Sequence, residues 1–145
     1  MGSGKTTLGR QLALKQNKRF IDTDAEIEQL YNMSCRRIIE QYGIDHFRSL
    51  ENQLLLDLIG SDLTDTIIAT GGGMSCNNSN IKLMKQHGTV VYLKWTALQI
   101  ATSLSAEDIK ARPRLQNLNP KQLLEFITKD LEQREQYYLQ ADVII

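Results

Sequence analysis

Charge of one sign is what this sequence lacks first. Its 17 Lys and Arg are matched by 17 Asp and Glu, so 145 residues carry no formal net charge. That balance argues against the basic face of a nucleic-acid binder and against a polybasic membrane patch. Long apolar runs are missing too, since none approaches the ~20 residues needed to cross a bilayer. The start shows no charged-then-apolar secretory leader, which makes the cytoplasm the expected compartment. Cysteine is reduced to Cys35 and Cys76, without C-x-x-C or Cys/His spacing. These read as reduced, half-buried thiols, not as a disulfide or a metal site. Repeats, low-complexity tracts and linkers are also wanting, so the length is that of one domain with a core of its own.

What is present begins at residue 2. Gly2-Ser3-Gly4-Lys5-Thr6-Thr7 ends like a phosphate-binding loop, G-x-x-x-x-G-K-[ST], running into a helix. Gly4 lets the backbone approach a phosphate, and the free N–H groups of the first helical turn point at the same anion. Lys5 can reach the β- and γ-phosphates, and the Thr6 hydroxyl can ligate Mg²⁺. The first glycine of the pattern and its preceding strand would lie before Met1. A glycine-rich start to an ordinary amphipathic helix is the alternative.

Further on, Leu8, Leu12 and Ala13 predict the inward face of a helix over 7–16. Arg19 to Asp22 reads as a short strand ending in Asp22-Thr23-Asp24. An extended chain would turn both carboxylates to one side, at the sheet edge where ligands bind. One could hold the Mg²⁺ shell and the other take a proton from an attacking hydroxyl. Alternatively, Asp24 only caps a helix over 25–31, with Ile27, Leu30 and Tyr31 inward. Ser34 reads as a second cap and Gly43 as a stop. Asp45 then opens a longer helix buried through Phe47, Leu50, Leu54 and Leu58. On it Arg48 and Glu51 are three apart, either a surface ion pair or an arginine held ready for an anion.

A buried-type strand over 66–70 runs into Gly71-Gly72-Gly73, where close backbone approach to a ligand competes with a plain flexible loop. A helix over 80–86 and a strand over 89–94 follow, then a helix over 97–104. The polar stretch 105–116 contains Lys110-Ala111-Arg112-Pro113-Arg114-Leu115 and reads as a mobile loop able to close over a nucleotide. Asn119-Pro120 starts the last helix, striped by Leu123, Leu124, Ile127 and Leu131. A final strand covers 141–145. The alternation is that of an α/β domain with a parallel sheet covered on both faces.

Taken together these stretches resemble the shikimate kinases. That family's pattern joins the phosphate loop to D-x-D, F-R-x-x-E, G-G-G, R-P-x-L and R-x-x-x-Y. Here they stand as Gly2 to Thr6, Asp22-Thr23-Asp24, Phe47 to Glu51, Gly71 to Gly73, Arg112 to Leu115, and Arg134 with Tyr138. The resemblance implies a three-layer P-loop fold of the nucleoside-monophosphate-kinase type, sheet order 2-3-1-4-5. It implies one domain over 1–145, with core 1–104 and 117–145 and a lid at about 105–116. It also implies ATP-dependent phosphorylation of the 3-hydroxyl of shikimate by a cytoplasmic monomer, with Mg²⁺ and ATP. Gly2, Ser3, Gly4, Lys5, Thr6, Thr7 and Arg112 would bind ATP; Thr6 would ligate Mg²⁺, helped by Asp22 through water. Asp24 would be the base and bind the ring hydroxyls. Arg48 and Arg134 would grip the carboxylate, with Gly71, Gly72 and Gly73 against the ring. Catalysis would fall to Asp24, Lys5 and Arg112.

Two departures set further expectations. The helix entering the lid reads Ala101-Thr102-Ser103-Leu104, where the family usually has an arginine near adenine. The central, first strand of the sheet is absent from this sequence, which leaves the strands at 66–70 and 89–94 without their shared partner. The expectation is therefore a fragment that folds poorly or is inactive alone. Rival functions are another small-molecule kinase, such as a gluconate or nucleoside-monophosphate kinase, and a non-catalytic nucleotide-binding remnant.

Overall fold

A computed structural model of the chain describes residues 2–110 and 112–145; Met1 and Ala111, which belong to the loop and lid stretches, lie outside the described residues. Helix α1 (Lys5–Lys15) leads to β1 (Arg19–Asp22), α2 (Thr23–Tyr31), α3 (Cys35–Tyr42) and α4 (Ile44–Ile59). Next come β2 (Thr66–Ala69), a 3₁₀ turn at Met74–Cys76, α5 (Asn78–His87) and β3 (Val91–Tyr92). The chain closes with α6 (Ala97–Ser103), α7 (Ala106–Lys110), a 3₁₀ turn at Pro113–Leu115, α8 (Pro120–Tyr138) and β4 (Val143–Ile144).

Local chemistry explains the boundaries. Ser34 caps α3 by accepting from the Arg37 N–H, as the sequence suggests. Gly43, at φ 87°, ends α3 and starts α4 one residue before the expected Asp45. Asn119 and Gln122 form a reciprocal capping box at the head of α8, with Pro120 in its first turn.

The strands pair in parallel, β1 with β2 and β3 with β4, as separate two-stranded sheets among the described residues. β3 is shorter than the expected 89–94, although hydrogen bonds from Asp142 N to Val90 O and from Lys94 N to Ile145 O continue the ladder. Between β2 and β3 opens a cavity of about 510 Å³, lined by Leu8, Leu12, Ile67, Met84, Val91 and Ile127 among others. Leu8 and Leu12 point into it, which leaves them 44% and 40% exposed although they lie on the expected inward face. Among the described residues, β2 and β3 share no partner strand.

Two buried clusters flank this opening. Ile27, Ile38, Phe47 and Leu54 hold α2, α3 and α4 together. Ile100, Leu115, Leu123 and Ile127 hold α6 and α8 under the lid. Each such side chain contributes about 1.5–3 kcal/mol by leaving water. Leu30, expected inward, is 72% exposed, because the short α2 turns only Ile27 and part of Tyr31 to the cluster. The stretch 105–116 is not structureless either: α7 and a 3₁₀ turn occupy it, with Leu115 locked into the second cluster.

Candidate active site

The acid residues that follow β1 are arranged differently from the extended reading. Asp22 is the last strand residue and the N-cap of α2, its Oδ1 accepting from the Asp24 N–H at 3.1 Å and the Ala25 N–H at 3.3 Å. Thr23 and Asp24 are already helical, so strand alternation does not align the two carboxylates. Asp22 still bears on Asp24 electrostatically. Asp22 caps and Asp24 does not, which leaves Asp24 free for other work.

Thr23, which the sequence reading passed over, is completely buried, and its Oγ1 accepts from the Gly71 N–H at 2.9 Å. That bond ties the acidic turn to the three glycines. There the backbone is approached so closely that side chains would collide. A methyl group at Gly71 would meet Asp24 Oδ1, and one at Gly73 would meet the Arg48 guanidinium. A side chain here would displace the Asp24 carboxylate or the Arg48 guanidinium.

Each of the three arginines singled out in the sequence is held by a carboxylate on its own helix or helical segment. Arg48 Nη1 donates to Glu51 Oε2, and Glu51 is 1% exposed. Arg134 pairs with Asp130 at 2.8 Å, and Arg112 with Asp108 at 2.9 Å. Only the first of these pairs was read from the sequence. The i,i+4 spacing of the other two was there to be seen. Paired in this way, a guanidinium keeps free N–H donors in a fixed plane for a second anion.

The loop ahead of α1 is more sparsely held. Gly4 caps α1 at φ 71°, a left-handed geometry that glycine adopts freely, and no side chain caps the helix. Lys5 Nζ donates to Ser3 Oγ at 3.3 Å, and Thr6 Oγ1 donates to Asp22 Oδ2 at 2.6 Å. Gly2 O accepts from Ser103 Oγ at 2.8 Å, which anchors the loop to α6. Thr7 is exposed in the first turn of α1. Arg112 also donates to the Asp108 carbonyl at 2.7 Å, so the lid arginine is engaged within the lid.

Electrostatics joins the two sides. Burial raises the Asp24 pKa, the neighbouring Asp22 adds to the rise, and Lys5 and Arg48 oppose it. Burial likewise lowers the Lys5 pKa, with Asp24 and Asp22 pulling it back. Burial raises Glu51 despite its bond to Arg48. The Asp24 carboxyl and the Lys5 ammonium thus feel one another, and burial shifts the pKa of each towards the other's range.

Comparison with known proteins gives a consistent answer. The chain matches the family model for shikimate kinase over residues 1–145. It is 37% identical to the shikimate kinase of Azobacteroides pseudotrichonymphae over 144 residues, covering 99% of this chain and 84% of that one. The crystal structure of shikimate kinase from Bacteroides thetaiotaomicron superposes with a TM-score of 0.91 at 33% identity, covering all of this chain and 81% of the other. A shikimate kinase from Acinetobacter baumannii, solved in complex with shikimate, superposes at 0.86 with 35% identity, covering 100% and 78%.

Proposed function

The chain belongs to the shikimate kinase family, and on that premise we propose how its residues divide the work. The enzyme is a phosphotransferase that uses ATP to phosphorylate shikimate, a step of aromatic amino acid biosynthesis. The acceptor oxygen is the 3-hydroxyl and the product shikimate 3-phosphate. Gluconate or nucleoside-monophosphate kinase activity is not favoured, and neither is a non-catalytic remnant.

Arg48 and Arg134 receive the substrate carboxylate, each steadied by its own acid, Glu51 and Asp130. The backbone of Gly71 to Gly73 forms the floor against which the ring lies. Asp24 accepts a hydrogen bond from the reacting hydroxyl and takes its proton. The hydroxyl oxygen then bonds to the γ-phosphorus, and the bond to the β–γ bridging oxygen breaks to release ADP. Gly2, Ser3, Gly4, Lys5, Thr6 and Thr7 cradle the ATP phosphates; Arg112 comes over the γ-phosphate when the lid closes. The supporting observation is that Asp24 lies between Lys5 and Arg48, feeling both, against the glycine turn.

Thr6 and Asp22, in hydrogen-bond contact, offer hard oxygen donors of the kind Mg²⁺ shares with phosphates and water. They would hold that ion, which would neutralise charge developing on the phosphates. Among the described residues no group of three or more His, Cys, Asp or Glu could hold a metal by itself. We propose a cytoplasmic monomer without nucleic-acid or membrane partners.

The decisive assay offers shikimate, gluconate and nucleoside monophosphates side by side with Mg-ATP and identifies the phosphorylated product. Shikimate 3-phosphate alone is expected. Phosphorylated gluconate or nucleotide would transfer the chain to a rival class, and ATP binding without any product would make it a remnant.

A further inference from the structure

Three glycines in a row have no side chains with which to fix themselves, yet the acceptor site needs their backbone at a set distance from the carboxylate-binding arginines. Gly71 is fixed by Thr23 from α2. Gly72 is fixed from the opposite side. Its carbonyl oxygen accepts from the Tyr138 hydroxyl at 2.7 Å and from the Cys76 thiol at 3.4 Å. Tyr138 is the last residue of α8, four places after Arg134, which in turn lies four places after Asp130. One stripe of α8 therefore carries a carboxylate, the guanidinium it holds, and the phenol that reaches the glycine turn. The Tyr92 ring packs against that of Tyr138, with centroids 5.1 Å apart and planes tilted by 39°.

We propose that Tyr138 is a positioning residue of the acceptor site: its hydroxyl locks the Gly72 carbonyl to α8 and so fixes the gap between Arg134 and the glycine turn. The proposal rests on the shikimate kinase reading given above. In that gap the substrate's ring meets one wall and its carboxylate the other. Without the bond, Arg134 stays on α8 and the turn stays on α2, but the two walls are no longer tied. Burial, with Cys76 adding to it, raises the Tyr138 pKa, so the phenol remains a donor throughout the neutral range.

The test is Tyr138→Phe, which removes the oxygen and keeps the ring on Tyr92. Loss of one well-made hydrogen bond predicts a rise of about tenfold in KM for shikimate. KM for ATP should stay within about twofold and the melting temperature within a few degrees. A merely structural tyrosine would lower the melting temperature and leave the ratio of the two KM values unchanged, which would overturn the proposal. A wild-type chain that neither binds nor phosphorylates shikimate would overturn the functional reading and this proposal with it. Wild-type turnover with an unaltered Tyr138→Phe KM would overturn this proposal alone.

Discussion

The acceptor side and the nucleotide side of this cleft are built to different standards. On the acceptor side, Thr23 of α2 and Tyr138 of α8 tie their helices to the glycine turn, while Glu51 steadies Arg48 on α4 and Asp130 steadies Arg134 on α8. On the nucleotide side, Lys5 donates to the hydroxyl of Ser3, and Arg112 is engaged by its own lid segment. A small rigid acid is best gripped by walls set in advance, because ordering them on binding would weaken the grip. A nucleotide that brings its own charge and metal can order a loop and lid as it arrives. We propose that the acceptor half is set in advance and that the nucleotide half is ordered by its ligand.

Substitutions should divide along the same line. Asp24→Asn keeps shape and removes the base; kcat should fall by about 10²–10⁴ with the shikimate KM little changed, as steady-state ADP release would read. A kcat within tenfold of wild type would reduce Asp24 to orienting the hydroxyl. Arg134→Lys loses the planar fork, and the shikimate KM should rise about a hundredfold while the ATP KM holds. Equal losses on both substrates would erase the distinction between the two sides. Gly73→Ala places a methyl group on the Arg48 guanidinium, so a rise of about tenfold in shikimate KM is expected. Unchanged kinetics there would mean that the turn is softer than described. On the other side, Asp108→Asn releases Arg112 from an exposed pair, worth about 0–1 kcal/mol. It should alter the ATP KM by no more than about fivefold and leave shikimate alone.

The smallest effect concerns protons. Asp24 has its pKa raised above the ordinary 3.8, chiefly by burial, and Glu28 contributes to the rise. The active carboxylate form is therefore lost, as pH falls, earlier than for an ordinary aspartate, and the acid limb of kcat/KM lies above 3.8. Glu28→Gln removes a negative neighbour, so the limb should move to lower pH. Movement to higher pH would show that another group sets it.

How much of this was legible beforehand follows from the kind of signal. Caps and stops such as Ser34, Gly43 and Asn119-Pro120 act within one turn of chain, and they were readable. The Arg48–Glu51 pair was readable for the same reason. Asp22 and Asp24 were picked out as functional, but their geometry was misread, because the helix begins one residue after the strand and the extended rule no longer applies. Thr23 and Tyr138 went unassigned because their partners, Gly71 and Gly72, lie 48 and 66 residues away, and no local period encodes such a bond. The lid's order was missed because Leu115 packs on α8, a tertiary contact in a stretch with weak periodicity.

We propose that the acceptor side stands ready before any nucleotide arrives. Calorimetric titration of shikimate into the nucleotide-free chain should then show saturable one-site binding, strongly weakened in Arg134→Lys. Binding that appears only once an ATP analogue is added would contradict prior assembly. Absence of binding in both states would uphold the expectation of a chain unable to work alone.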